Sequence, residues 1–363
     1  MKKVIFMLCL FMLLPTLIST TDAKEVEGKI SFLVKSSSHS LFQSVLTVES
    51  DQLIQSILHS KSQEIVSELP HSNNYILIED ANGIRTLLVD EKGEVYDLYR
   101  KEKFQLPAST ATKIKTYFRV LEGKHFGRLI DWEEVDKRIP KYSIFKIIDL
   151  ETGSSFYAQR RAGKSHADVQ PLTKHDTRIM KKIYDGEWSW NRRAILVQVN
   201  EHTFAASMHG MPHGGGALAN EFPGHFCIHF KGSVTHRTKK SDLSHQVMVN
   251  KAGGLLNQFV SQLNAQEVTE LFFISLNHKD LDLLKLIYRG DVRALENNVA
   301  QIESVRILSK DPIPTINGAL VFELPITYKI KGKDKAEVEK TFVFKVTRDA
   351  PTGRWRLDDV PLK

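Results

Sequence analysis

The residues best suited to chemistry cluster around one thiol. The segment His209-Gly210-Met211-Pro212-His213 runs through a glycine-rich stretch to Gly224-His225-Phe226-Cys227-Ile228-His229. A cysteine nucleophile needs a base or cation that favours thiolate. It also needs N–H donors for an oxyanion and a face open to substrate. His209, His225 and His229 all qualify as the base by residue type. If the segment is extended, residues 225, 227 and 229 share one face, which sets two imidazoles beside the sulfur. Nine of the fourteen histidines fall between His166 and His245, the sharpest compositional shift in the chain.

The N-terminus bears on that thiol. Lys2 and Lys3 precede an apolar run over residues 4–14, then Pro15 and small polar residues up to Ala23. This is the pattern of a signal peptide (residues 1–23), and the run is shorter than the roughly 20 apolar residues of a membrane span. The expectation is an exported, extracytoplasmic protein of the cell envelope or wall, with no membrane span once the signal is cleaved; a retained anchor is the alternative. Cys9 would leave with the signal, so the mature chain would carry Cys227 alone. A single thiol outside the cytoplasm is either used or buried as a small hydrophobe.

The spacing around Cys227 resembles that of the L,D-transpeptidases of bacterial cell walls. Their pattern is His-Gly, a glycine-rich loop, then Ser/Thr-His-Gly-Cys, an apolar residue and Asn or Arg. Here His209-Gly210 stands eighteen residues before Cys227, His225 two before it, and Ile228 in the apolar position. The resemblance covers about residues 132–256. It implies a mostly-β catalytic domain in which His209 takes the Cys227 proton and His225 orients or polarises. The backbone N–H groups of Phe226 and Cys227 would hold the oxyanion, with Gly210, Phe226 and His229 on the substrate side. The implied reaction is acyl transfer on peptidoglycan stem peptides through a Cys227 thioester, without a cofactor. The chain departs from the pattern at Gly224, Phe226 and His229. A Phe in a position that needs φ > 0 would be strained.

Other residues have plainer roles beside functional ones. Arg193, after Trp188 and Trp190, suits a carboxylate of a stem peptide. In His166-Ala167-Asp168 a His near an Asp could orient a base or bind metal, but the favoured reading is a turn leading to a helix after Thr173. His213, His236 and His245 have no zinc-motif spacing, so no metal site is expected. Two rival functions remain: a wall peptidase or amidase with His236 or His245 as a downstream base, and a non-catalytic peptidoglycan-binding or assembly module. The formal charge of +7 falls by one when Lys2, Lys3 and Asp22 are removed. A modestly basic exported chain is drawn to anionic wall polymers, and without a basic block interleaved with aromatics it is no candidate for nucleic acid.

The elements that must position these residues suggest an α+β chain in three parts. With 42% hydrophobic and 26% charged residues over 363 positions, the composition is that of globular domains, not of disordered or collagen-like chains. Residues 24–131 read as a small α+β region, with strands over 75–78, 86–89 and 95–99, a turn at Asn82-Gly83 and a helix over 109–121 that Gly123 stops. Residues 132–260 hold a hairpin around Glu151-Thr152-Gly153 and strands over 194–199 and 203–208. Residues 264–363 read as two helices (267–276 and 281–287) followed by four strands, with Gly332 at the turn of the long pair. That order resembles the cone-shaped NTF2-like fold.

Overall fold

The structure is a computed structural model that describes residues 28–65, 69–80, 83–236, 238–310 and 318–362. The proposed signal peptide lies outside the described residues. The described chain is α+β with mostly β content. No described helix is long and apolar enough to cross a membrane.

The first part is a seven-stranded sheet. Strands β1 (Lys29–Lys35) and β2 (Gln43–Glu49) pair antiparallel, and α1 (Asp51–Leu58) follows, its first turn capped by the Ser50 hydroxyl. Strands β3 (Lys61–Glu64), β4 (Asn74–Asp80), β5 (Gly83–Val89), β6 (Val95–Asp97) and β7 (Glu102–Gln105) complete the order β2-β1-β4-β5-β6-β7-β3. Asp80 pairs with Gly83 across the expected turn, whose Asn82 lies outside the described residues. Helix α2 (Ala108–His125) buries Ile114, Phe118 and Leu121, spaced for one face, against the sheet. It runs through Gly123 rather than stopping there: that glycine faces open space, where its helix cost of about 1 kcal/mol is borne by the packed face.

The second part is a closed barrel. After α3 (Trp132–Arg138) come β8 (Ile144–Asp149), β9 (Ser155–Ala162), β10 (Ala167–Pro171), α4 (Lys174–Ile183), β11 (Arg192–Val199), β12 (His202–His209) and β13 (Phe226–His229). The strands close in the order β10-β13-β12-β11-β8-β9. The hairpin at Glu151-Thr152-Gly153 forms as read, with Asp149 accepting hydrogen bonds from the Thr152 N–H and hydroxyl. Helix α4 starts at Thr173 in a capping box with Asp176. The barrel interior is a dry core that includes Phe156, Val169, Ile195, Phe204, Phe226 and Ile228.

The His166-Ala167-Asp168 turn expected from sequence is instead the entry to β10, which pairs with both β9 and β13 and closes the barrel. Ala167 and Val169 fill core positions. Burial of alternate side chains and two neighbouring ladders outweigh the local turn preference of Asp168.

Helix α5 (Leu243–Ala252) covers part of the barrel's outer face, and α6 (Leu256–Ser261) packs on α5. The last part opens with α7 (Ala265–His278), which has an Asn264–Glu267 capping box, and α8 (Leu281–Ile287). A short 3-10 turn (Val292–Leu295) and α9 (Glu296–Ala300) lead to β14 (Ile302–Lys310), β15 (Val321–Gly332), β16 (Val338–Thr347) and β17 (Arg356–Leu357), an antiparallel sheet in chain order. One apolar cluster joins Leu196 and Ala205 on the outside of the barrel, Val247 and Met248 of α5, and Phe272 and Phe344 of the last part. The core therefore crosses the boundary drawn between residues 260 and 264.

Candidate functional site: a histidine-rich face outside the barrel

Strand alternation decides where the chemistry sits. Strand β13 lies between β10 and β12, with Asp168 opposite Cys227, Val169 opposite Phe226 and Met208 opposite Ile228. Val169, Met208, Phe226 and Ile228 belong to the barrel core. Successive side chains point to opposite faces, so Asp168, Ser207, His209, Cys227 and His229 all project outward. The expectation that residues 227 and 229 share a face holds, and β10 and β12 add Asp168 and His209 to it.

Cys227 is 5% exposed and forms no disulfide among the described residues. The Sγ lies 3.3 Å from His213 Nε2 and 3.8 Å from Asp168 Oδ1. His213 Nδ1 is 3.1 Å from the Met211 carbonyl oxygen, so it carries the proton and leaves the Nε2 lone pair facing the thiol. His213 reaches this place because its backbone bridges to His225 in both directions, at 3.0 and 2.9 Å. That bridge needs Gly224: its φ is +123°, and a Cβ there would sit 2.5 Å from the His213 carbonyl oxygen. The Ser/Thr of the transpeptidase pattern would not fit this backbone.

His209 is 3% exposed, and its Nδ1 is buried without a hydrogen-bond partner among the described residues. One donor nitrogen each from His209 and His213 and the Cys227 sulfur all lie within 4.8 Å of one another. Trp190, 49% exposed, packs its ring 4.6 Å from that of His209 and 5.5 Å from that of His213, forming the open flank of the site. His225 contacts the Gly215 carbonyl oxygen through Nδ1 at 3.1 Å and stands 3.8 Å from Asp168 through Nε2.

Asp168, which the sequence favours as a turn residue, is the hub of the site. Its Oδ1 is 3.3 Å from His236 Nε2 and 3.4 Å from His166 Nε2. Burial works to raise its pKa, but hydrogen bonds with His166 and His236 and the neighbouring His225 hold it at about 2. The Cys227 thiol is pushed up, first by burial and then by the Asp168 charge. Burial also lowers His213 and drives His209 well below the usual imidazole range. At neutral pH the pair is therefore a thiol beside a neutral imidazole.

His229 does not face Cys227. Its ring is stacked between those of His245, at 3.8 Å, and His166, at 4.5 Å. His245 Nδ1 pairs with the Ser207 hydroxyl at 2.9 Å. All three imidazoles are buried, and burial holds His229 at about 2 and His245 far below its ordinary value. This stack pins α5 to the barrel. Arg192, opposite His209, ties β11 to the first turn of α5 through Asp242 at 2.7 Å.

Other expected site residues take structural places. Phe226 is a fully buried core side chain and is absent from the residues with positive φ, so the feared strain does not arise. Phe226 and Cys227 lie in a strand paired with β10, not in a turn that would present both amides to an oxyanion. Gly210 packs against Tyr184, whose ring a Cβ would meet at 2.5 Å. Arg193 closes its fork on the buried Asp149 at 2.8 and 2.7 Å, a strong bidentate pair. Arg193 also lines a cavity of about 310 Å³ with Glu151, Lys251 and Asp280, and Cys227 is not among its walls.

His213 and Asp168 are the residues that sequence reasoning undervalued. The signal for His213 was its place between Pro212 and Gly214, a loop able to fold back on Gly224. Asp168 had one local signal, the nearby His166, but its partner Cys227 is 59 residues away. Compared with family models, curated proteins and solved structures, the chain has no match.

Proposed function

We propose that this face is a cysteine acyl-transfer centre acting on peptidoglycan stem peptides at the cell envelope. The observation that carries the reading is the 3.3 Å contact between Cys227 Sγ and an imidazole whose other nitrogen is fixed by the Met211 carbonyl. His213 Nε2 takes the thiol proton as sulfur attacks the substrate carbonyl. The tetrahedral intermediate collapses, the C–N bond breaks, and the leaving amine takes the proton from His213. Water or an acceptor amine then resolves the thioester. His209 backs His213, and Trp190 offers an exposed ring for the substrate. Because Cys227 rests as a thiol, proton transfer belongs to the attack step and does not precede it.

The substrate class is supported by the His209-Gly210 to Cys227 spacing that this chain shares with L,D-transpeptidases. The signal-like N-terminus and basic charge support the location, including contact with anionic wall polymers. An NTF2-like assignment of residues 264–363 is supported by two leading helices and a four-stranded antiparallel sheet. The downstream-base alternative draws less support: His245 is held by Ser207 and His229, and His236 faces Asp168.

The test is incubation of the mature protein with a disaccharide-tetrapeptide carrying a terminal D-alanine. Release of D-alanine by the wild type and not by Cys227→Ser is expected. No release, with intact binding to sacculi and a Cys227 that resists a small alkylating agent, would select the binding-module reading that the buried thiol favours.

A further inference from the structure

We propose that Cys227, His209 and His213 form a binding site for a thiophilic divalent cation, zinc above all. The sequence spacing gave no hint of it, because the three ligands come from a strand end, a loop and a second strand. Three observations meet here. The donor set is one sulfur and two imidazole nitrogens, the soft and borderline ligands that zinc prefers over magnesium or calcium. The three atoms lie within 4.8 Å of one another. A tetrahedral zinc with Zn–S near 2.3 Å and Zn–N near 2.0–2.1 Å sets its ligands about 3.4–3.6 Å apart, so closing the site takes shifts of about 1 Å. The Cys227–His213 edge, at 3.3 Å, is already at that spacing.

The third observation is the unpaired His209 Nδ1, in a ring 97% buried by its 3% exposure. A buried ring nitrogen without a partner is costly, and the His209 ring carries one while also offering a donor nitrogen to the Cys227–His213 cluster. His213 is prepared in the way metal-binding histidines usually are, with its far nitrogen donating to a carbonyl. Binding would release the Cys227 proton to solvent and form an S–metal bond. The thiolate and two neutral imidazoles leave one positive charge on the complex. Asp168, 3.8 Å from the sulfur, supplies the opposite charge. It also forms a second donor cluster with His166 that shares Cys227.

Binding of the cation stands independently of catalysis. Its consequence rests on the acyl-transfer reading: a sulfur ligated to metal cannot attack a carbonyl, so the cation would mask and protect the nucleophile until it is withdrawn.

The experiment titrates chelator-treated full-length mature protein with cobalt(II) as the spectroscopic probe and zinc as competitor. One cobalt per chain is expected, with a thiolate-to-cobalt charge-transfer band in the near ultraviolet, visible bands of tetrahedral intensity, and displacement by zinc. Cys227→Ser should abolish the charge-transfer band. His213→Ala and, separately, His209→Gln should each weaken binding at least about tenfold, with circular dichroism reporting whether each variant folds. A wild type without the band would overturn the site. So would a band that persists at unchanged affinity in both folded histidine variants. Acylation of the metal-free protein by a carbapenem is scored in parallel. An adduct without cobalt binding sinks the metal site and leaves the acyl reading standing. Cobalt binding without an adduct does the reverse. Loss of the adduct on adding one equivalent of zinc, with recovery on chelation, would support masking.

Discussion

The two faces of β10, β12 and β13 differ completely, though the same strands make both, with successive residues taking opposite sides. The inner face carries Val169, Phe204, Met208, Phe226 and Ile228, all fully buried and apolar. The outer face carries Asp168, Ser207, His209, Cys227 and His229, nearly as buried and mostly titratable. The inner face gains its stability from burial alone. The outer face is buried by α5, the His213 loop and Trp190, so each polar atom must find a partner. Most do, and the ones left over on this face are ring nitrogens of His209 and His229. The candidate site thus lies on the outside of a closed barrel, where a one-residue register slip would exchange every histidine for a core hydrophobe.

The sharpest way to break this contrast is to exchange effects between faces. Cys227→Ser should eliminate all covalent adduct formation while changing unfolding free energy by about 1 kcal/mol or less. Intact mass and a urea melt on the same sample would read both, and residual acylation at another residue would break the assignment. One position away, Phe226→Ala removes an interior ring that packs on Phe156 and Phe222. It should cost about 3–5 kcal/mol in urea unfolding, and the folded fraction should still be acylated. A mild stability effect would mean that Phe226 is not core.

A histidine remote from this face separates general acid sensitivity from that of the cluster. His125 is buried against Phe42 and Phe126, with Ser44 on Nδ1, and burial holds it at about 4. Above its ordinary pKa of about 6.5, folded and unfolded chains are both neutral at this site. As pH falls from about 6.5 to about 4, the unfolded chain takes up a proton that the fold refuses. Stability should therefore drop by up to about 3 kcal/mol across that window. His125→Phe should flatten that part of the pH–stability curve; an unchanged curve would place the acid sensitivity elsewhere. The smallest effect belongs to a cap that merely orients α4 against the barrel: Thr173→Ala should cost about 1 kcal/mol in thermal or urea unfolding, with unchanged acylation.

Much of this contrast could be read from sequence where it depended on local pattern. The β8–β9 hairpin, β11, β12, α4 with its Thr173 cap, and the α7–α8 pair were all visible in apolar periodicity and turn residues. So was the shared face of Cys227 and its neighbours. What could not be read was pairing at a distance. Strand β10 is five residues long, ends in Pro171 and contains Asp168 and Gln170, so nothing local marks it as a strand. Only closure against β13 makes it one. Helix α5 was missed for a related reason. It is buried along most of its length, polar and apolar residues alike, so no amphipathic stripe appears. His209 was found through its spacing to Cys227. His213 was not, because its approach to the sulfur depends on the backbone bridge to His225.

The most direct test of the central claim is intact-mass spectrometry of the metal-free mature protein after exposure to a carbapenem, comparing wild type with His213→Ala and His209→Ala. A single adduct on Cys227, nearly lost in His213→Ala and reduced less in His209→Ala, is the predicted result. An unmodified Cys227 in the wild type, or an adduct formed equally fast without His213, would contradict it.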